Sequence, residues 1–171
     1  GPRLQFLWKY KYDEKNNLIS AIEYYGSGDF ARENTYIYDS LNRMIRADIN
    51  GMIKLYDYNS NNDLIKMTEY RSHRPSEKSI VEYKYDINNN LIETSYYDDD
   101  SSLNYKFKYD DVNKLIEKDS GTLKQLFTYD SDDNLVERKT YVKLNEFSDE
   151  MVYKYKRTYK YEFTQKEEVI K

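Results

Sequence analysis

His73 is the only imidazole the chain could offer as a general base or a metal ligand. It lies in the polar stretch Arg71-Ser72-His73-Arg74-Pro75. Nucleophilic catalysis would need a Ser or Cys aligned with that ring and an acid behind it, and no nucleophile motif accompanies it. Structural or catalytic zinc needs clustered Cys and His ligands, and the chain has no Cys and no second His. Carboxylates are plentiful. Asp98-Asp99-Asp100 and Asp130-Ser131-Asp132-Asp133 could give hard oxygen ligands to calcium, but neither run carries the Gly and terminal Glu of a calcium loop. Two acids at a set separation could hydrolyse a glycosidic bond. A catalytic pair is singular, however, and these acids recur along the chain, as residues that build turns do. No Gly-rich phosphate loop is present. The reading is of a chain that is not an enzyme and uses no cofactor and no metal.

The acids recur because they belong to a repeat, Tyr-Asp-x-x-Asn-x-Leu-Ile, present six times. Its copies begin at Tyr12, Tyr38, Tyr58, Tyr85, Tyr109 and Tyr129. The Asp position holds Asp13, Asp39, Asn59, Asp86, Asp110 and Asp130, and three residues later stand Asn16, Asn42, Asn62, Asn89, Asn113 and Asp133. The apolar pair is Leu18-Ile19, Met44-Ile45, Leu64-Ile65, Leu91-Ile92, Leu115-Ile116 and Leu135-Val136. Ahead of each Asp the residues alternate as aromatic-x-Tyr, with Tyr10, Tyr36, Tyr56, Tyr83, Phe107 and Phe127 in the first place. Period-two alternation of aromatics is a strand signal. Asp and Asn bond to nearby backbone amides and tolerate turn conformations. Each copy therefore reads as a β-hairpin: aromatic-x-Tyr strand, Asp-x-x-Asn turn, Leu-Ile strand. Adjacent strand residues point to opposite faces, so Leu18 and Ile19 divide between the two faces of the sheet.

The connections between hairpins vary in length and are polar: Gly26-Ser27-Gly28, the segment from Arg71 to Glu77, Asp98-Asp99-Asp100-Ser101 and Asp119-Ser120-Gly121. Constant turns at one end of the hairpins and variable loops at the other make a meander with two unlike ends. No helix-period segment of useful length stands out, although 141–150 could hold one turn. From Tyr153 to Phe163 a long alternating stretch leaves the repeat and ends the array, with a Lys-rich face that discourages edge-to-edge aggregation. The fold class is thus all-β, an antiparallel β-meander of about seven hairpin repeats forming an elongated, twisted sheet. Residues 1–2 read as a remnant of a cleaved tag. Residues 3–171 are one β-repeat domain, with hairpins over about 8–141 and a terminal strand region over about 150–165.

Composition fits this scheme. Aliphatic residues are sparse, but 21 Tyr supply large rings with hydroxyls that can stay wet or bonded, so the core should be thin and Tyr-rich, covered by Lys stems. The net charge of −4 gives no basic footprint for nucleic acid. No run is long and apolar enough to span a bilayer as a helix. The absence of Cys excludes disulfides and leaves the redox compartment open.

The six motif copies resemble the YD repeat of the Rhs and teneurin-type families, over about residues 8–141. Those repeats usually carry Gly before the Asn, where this chain has Lys15, Leu41, Asn61, Asn88, Val112 and Asp132, which marks a divergent member. The resemblance implies a bacterial-type β scaffold that is secreted, on the cell surface or in the periplasm, or part of a toxin-delivery machine. It lends no catalytic residue to this stretch. The expected function is a non-catalytic scaffold presenting a β-sheet for protein binding or structural support. Two alternatives stand beside it. One is a carbohydrate-binding module whose surface is the row Trp8, Tyr10, Tyr36, Tyr56, Tyr83, Phe107 and Phe127. The other is a shell segment or neutralising partner in a polymorphic toxin system.

Overall fold

A computed structural model describes residues 6–144 and 150–159. Thirteen strands follow one another in chain order in an antiparallel sheet. The hairpins are β1 (Phe6–Tyr12) with β2 (Leu18–Tyr25), β3 (Phe30–Tyr38) with β4 (Met44–Ile49), and β5 (Met52–Tyr58) with β6 (Leu64–Arg71). They continue as β7 (Arg74–Tyr85) with β8 (Leu91–Tyr97), β9 (Ser102–Tyr109) with β10 (Leu115–Asp119), and β11 (Leu123–Tyr129) with β12 (Leu135–Lys143). A last strand, β13 (Met151–Thr158), pairs with β12. The described chain is therefore six hairpins and one further strand, all-β as the alternation predicts. The proposed tag remnant at 1–2 and the end of the terminal strand region, 160–165, lie outside the described residues, as do 145–149 within the stretch that could hold a helical turn.

The chain divides into two compact units. One holds residues up to 84 together with 93–103, the other 85–92 together with those from 104 on. In the first unit the buried apolar residues are Ala21, Ile22, Ala47, Ile53 and Val81, alongside Ser20, Glu23, Asn34, Thr94 and Ser95. In the second unit Thr140 is buried. The core is thin, but it is not made of Tyr rings. Tyr36, Tyr56, Tyr83, Phe107 and Phe127 are only half-buried. Cross-strand register explains this, because Tyr10 lies opposite Ala21 and Tyr36 opposite Ala47. A large ring beside a small residue covers it and stays partly exposed itself. Buried Glu23 is opposed by Arg32 and ion-paired to its Nε, which offsets the cost of removing a carboxylate from water.

Register shifts fall at the same place in five hairpins. Lys11 pairs with Ser20 but Tyr12 with Leu18, so Ile19 is skipped. Ile45, Ile65, Ile116 and Val136 are skipped in the same way. The β-branched residue of the motif is thus the extra residue of a β-bulge. The bulge interrupts the strict alternation on which a division of Leu18 and Ile19 between opposite faces rests. The connection between β6 and β7 also differs from the sequence reading. Arg71 pairs with Arg74, and the tip is Ser72-His73; Pro75 is the second residue of β7 and lies in the register shift between the Arg71–Arg74 and Tyr70–Lys78 pairs, where its missing N–H is tolerated. Asn50-Gly51, with φ of 54° and 74°, closes β4 to β5 as a two-residue hairpin turn.

Candidate functional site

The repeat-defining residues meet at the turns. In the second copy the Asn42 N–H donates to the Asp39 carbonyl at 3.0 Å and the Asp39 N–H to the Arg43 carbonyl at 2.9 Å. Asn42 takes φ 69°. This is a three-residue hairpin loop whose last residue adopts the left-handed conformation. All six copies share it: Asn16, Asn42, Asn62, Asn89, Asn113 and Asp133 have φ between 65° and 71°. Asn and Asp are the non-glycine residues most at ease there. The left-handed demand falls on this residue and not on the one before it, so the lack of Gly at Lys15, Leu41 and their equivalents costs the turn nothing.

The Asp side chain holds the loop from inside. Asp13 Oδ1 accepts the N–H groups of Lys15 at 2.9 Å and Asn17 at 2.8 Å. Asp39, Asp86, Asp110 and Asp130 repeat the pattern, and Asn59 does so through its amide oxygen. The carboxyls of Asp39, Asp86 and Asp130 fall below the usual range chiefly because the backbone N–H four residues on stabilises the charged form, and that of Asp13 chiefly through the Asn17 amide.

A residue that the consensus string hides completes the set, the one between Asn and Leu. In the first, second, fourth and sixth copies it donates back to the motif Asp: Asn17 Nδ2 to Asp13 at 2.9 Å, Arg43 Nε to Asp39 at 2.8 Å, Asn90 Nδ2 to Asp86 at 3.1 Å and Asn134 Nδ2 to Asp130 at 3.3 Å. The third copy inverts the pair. Asn59 stands where the others have Asp, and its Nδ2 donates to Asp63 at 2.9 Å. The same position also reaches forward to the next turn. Asn17 Nδ2 donates to Asn42 Oδ1 at 2.5 Å and Arg43 Nη1 to Asn62 Oδ1 at 2.9 Å within the first unit. Asn90 Nδ2 donates to Asn113 Oδ1 at 2.9 Å, and Lys114 pairs with Asp133, within the second.

The motif Tyr has an equally regular role. The hydroxyls of Tyr38, Tyr58, Tyr109 and Tyr129 donate to the carbonyls of Leu18, Met44, Leu91 and Leu115, at 3.2, 2.8, 2.9 and 2.9 Å. Each joins one hairpin to the second strand of the hairpin before it. Partial burial pushes these four hydroxyls up, keeping them protonated as donors.

Between successive turns lie grooves in matching register. One, of about 430 Å³, is lined by Asp13, Glu14, Lys15, Asn17, Ile19, Tyr36, Ile37, Tyr38, Asp39 and Asn42. In the second unit a groove of about 510 Å³ is lined by Asp86, Asn88, Asn90, Ile92, Phe107, Lys108, Tyr109, Asp110, Asp111 and Asn113. The motif residues frame both. Glu14, Lys15 and Ile37 in one, against Asn88, Lys108 and Asp111 in the other, give each a different surface. Tyr36 and Phe107 therefore serve as groove walls. Tyr10 is 55% exposed, and Trp8, half-buried, stacks on it with ring centroids 6.3 Å apart and lies under Arg32. Tyr56 and Phe127 sit in the sheet opposite Met67 and Arg138. Of the predicted aromatic row, Trp8 and Tyr10 stack on each other.

His73 is exposed at its hairpin tip. Among the described residues no group of three or more His, Cys, Asp or Glu is placed to hold a metal, and no helix is long and apolar enough to cross a membrane. Asp98 caps its own loop by accepting from Asp100 and Ser101.

No family model matches the sequence, and no curated protein matches it. Solved structures do. The chain is similar to a TcdB2–TccC3 chain from a crystal structure with Cdc42, at 14% identity and a TM-score of 0.58 over 88% of its length. It is also similar to the chain of a TcdB2–TccC3–TEV structure, at 16% identity and a TM-score of 0.54 over 81%. It spans about 10% of each of those chains. These are Tc-toxin proteins of the Rhs/YD-repeat type, and the likeness shows a YD-repeat-like fold.

Proposed function

We propose that this chain is a non-catalytic YD-repeat scaffold, secreted or surface-associated, that presents the grooves between its turns to a protein partner. One observation carries the reading. The residues that look most like chemistry, the recurrent Asp, Asn and Tyr, are engaged in the same structural bonds from copy to copy, while the residues that differ between copies line the grooves they frame. A fixed frame with variable lining is how repeat proteins build binding surfaces. The charge state agrees. Hydrogen bonds hold the carboxyls of Asp13, Asp39, Asp86, Asp98, Asp130 and Glu137 below their ordinary range, whereas a carboxylic acid serving as proton donor near neutral pH must be held above it. The toxin-complex neighbours favour a protein as partner.

Binding by the purified chain to proteins encoded beside its own gene, measured with wild type and with Ile37→Asp and Asp111→Lys, tests this. Both positions are exposed and outside the turn bonds, so the fold should persist while affinity falls about tenfold or more. Unchanged affinity in both variants would remove the grooves from the function. A glycan array is the counter-test. Saturable glycan binding lost in Tyr10→Ala, with the fold intact, would favour the carbohydrate alternative, which the stacked Trp8–Tyr10 pair alone supports. A turnover abolished by replacing one acid outside the turns would overturn the non-catalytic reading.

A further inference from the structure

The strongest unexplained feature lies away from the turns, on β11, β12 and β13 in the second unit. Cross-strand register there runs Phe127 to Arg138 to Arg157, and Gln125 to Thr140 to Tyr155. Arg138 and Arg157 stand directly opposite each other, and like charges in that position destabilise a strand pair. Among the described residues neither arginine has an acidic partner. The neighbouring column is provided for, since Glu137 ion-pairs with both Lys139 and Lys156. The arginine column has no such acid.

A second observation falls at the same place. Among the described residues, the buried side-chain polar atoms without a hydrogen-bond partner are Arg138 Nε and Thr140 Oγ1. They lie two residues apart on β12 and so share a face, and the register shift of that strand comes after Thr140. Thr140 is 1% exposed. Leaving one such group unmet costs about 1–3 kcal/mol, and more beside a charge. Two unmet donors and two opposed guanidinium groups on one face share one remedy, an acceptor that carries negative charge.

We propose that Arg138, Arg157 and Thr140 form a binding site for an oxyanion, the carboxylate or phosphoryl group of a small molecule. The guanidinium fork matches the paired oxygens of either group. The Thr140 hydroxyl donates to the same acceptor, and Phe127 and Tyr155, in the same two rows, flank it with apolar surface. Arg157 and Tyr155 are exposed on β13, so the anion enters where these two side chains swing aside. A bound anion turns the like-charge pair from repulsive to bridged and joins β13 to β12 by more than its backbone bonds.

Nitrogen-15 NMR of the arginine Nε–H groups in the full chain reads this directly. Inorganic phosphate and, separately, acetate are titrated in with ionic strength held constant by sodium chloride. The expected result is a saturable shift of two Nε–H signals, assigned by their loss in Arg138→Lys and Arg157→Lys, with at least one of the two anions. Thr140→Val should weaken that binding about tenfold or more, the worth of one hydrogen bond to a charged group. Arg157→Gln, at an exposed position on β13, should abolish it while the circular dichroism stays that of wild type. Shifts that are linear in concentration, or that chloride reproduces, would reduce the effect to screening and overturn the site. So would wild-type affinity in Thr140→Val and Arg157→Gln. Saturation by phosphate alone assigns a phosphoryl ligand, and saturation by acetate alone a carboxylate.

Discussion

The two ends of the hairpins are built on different rules. At one end every turn has the same length, the same left-handed residue and the same pair of backbone hydrogen bonds. At the other end Gly26–Asp29, Asn50-Gly51, Ser72-His73, Asp98–Ser101 and Ser120–Thr122 vary in length and share no residue pattern. Both ends must reverse the chain, so reversal does not explain the difference. The constant turns also bond to the turn of the next hairpin, through Asn17, Arg43, Asn90 and Lys114. The variable loops touch one another sparingly, as where the Ser72 N–H meets the Gly51 carbonyl at 2.8 Å. A turn that must match its neighbour cannot change length; a loop that ends nearly alone can.

Inserting one residue at each end is the severest test of that contrast. A Gly added after Ser40 should cost at least about 2 kcal/mol in urea unfolding, from the two backbone bonds of that turn alone. A Gly added after Ser72 should cost about 0.6 kcal/mol or less, the entropy of a slightly longer loop. Equal losses would break the comparison. Acid should separate the ends next. The turn carboxyls of Asp13, Asp39, Asp86 and Asp130 titrate below their reference of 3.8 in the folded chain. The unfolded state therefore binds more protons near that reference, and the stability these groups give is complete above it and lost as pH falls through their lower folded values. Amide exchange at the turns should accelerate below about pH 4 sooner than at Asn50-Gly51, whose turn has no acid. Uniform acceleration would show that the acids do not hold the turns.

Smaller changes sharpen the contrast. Asn59→Asp faces a carboxylate with Asp63 where a donor met an acceptor, and should cost about 1–3 kcal/mol; adding Asp63→Asn should restore most of it, and a double-mutant cycle with no coupling would deny the exchange. Asn42→Ala puts a Cβ-bearing residue without a polar side chain at φ 69° and should cost about 1–2 kcal/mol. Asn42→Gly relieves the backbone but still lacks the acceptor for Asn17, so its residual loss in thermal unfolding measures the bond between turns.

Much of this was legible in the residues. Tyr36-Ile37-Tyr38 and its equivalents marked strands by alternation, and Asp39 with Asn42 marked the turn, because those preferences are local and survive any packing. What stayed hidden depends on a neighbour. Asn17, Arg43, Asp63, Asn90, Lys114 and Asn134 share a place and no chemical type, so they look like filler until their partners are seen. The bulge at Ile19 is a matter of register, which no residue type announces. The half-burial of Tyr36 follows from Ala47 across the strand, and the bare tip at Ser72-His73 from the pairing of Arg71 with Arg74. The Asn50-Gly51 dipeptide is a strong hairpin signal in its own right and stands outside the repeat.

The forward bonds between turns all run one way, from the residue before Leu to the left-handed residue one copy later. Where the receiver is an amide the giver is Asn or Arg, and where it is Asp133 the giver is Lys114. The first, second, fourth and fifth copies thus each carry an address for the copy that follows. Moving the third copy ahead of another by recombination would keep every hairpin intact and still leave the next left-handed residue without its donor, because Asp63 accepts where Asn17, Arg43 and Asn90 donate. The array is therefore a sentence with a word order, and not a string of interchangeable beads.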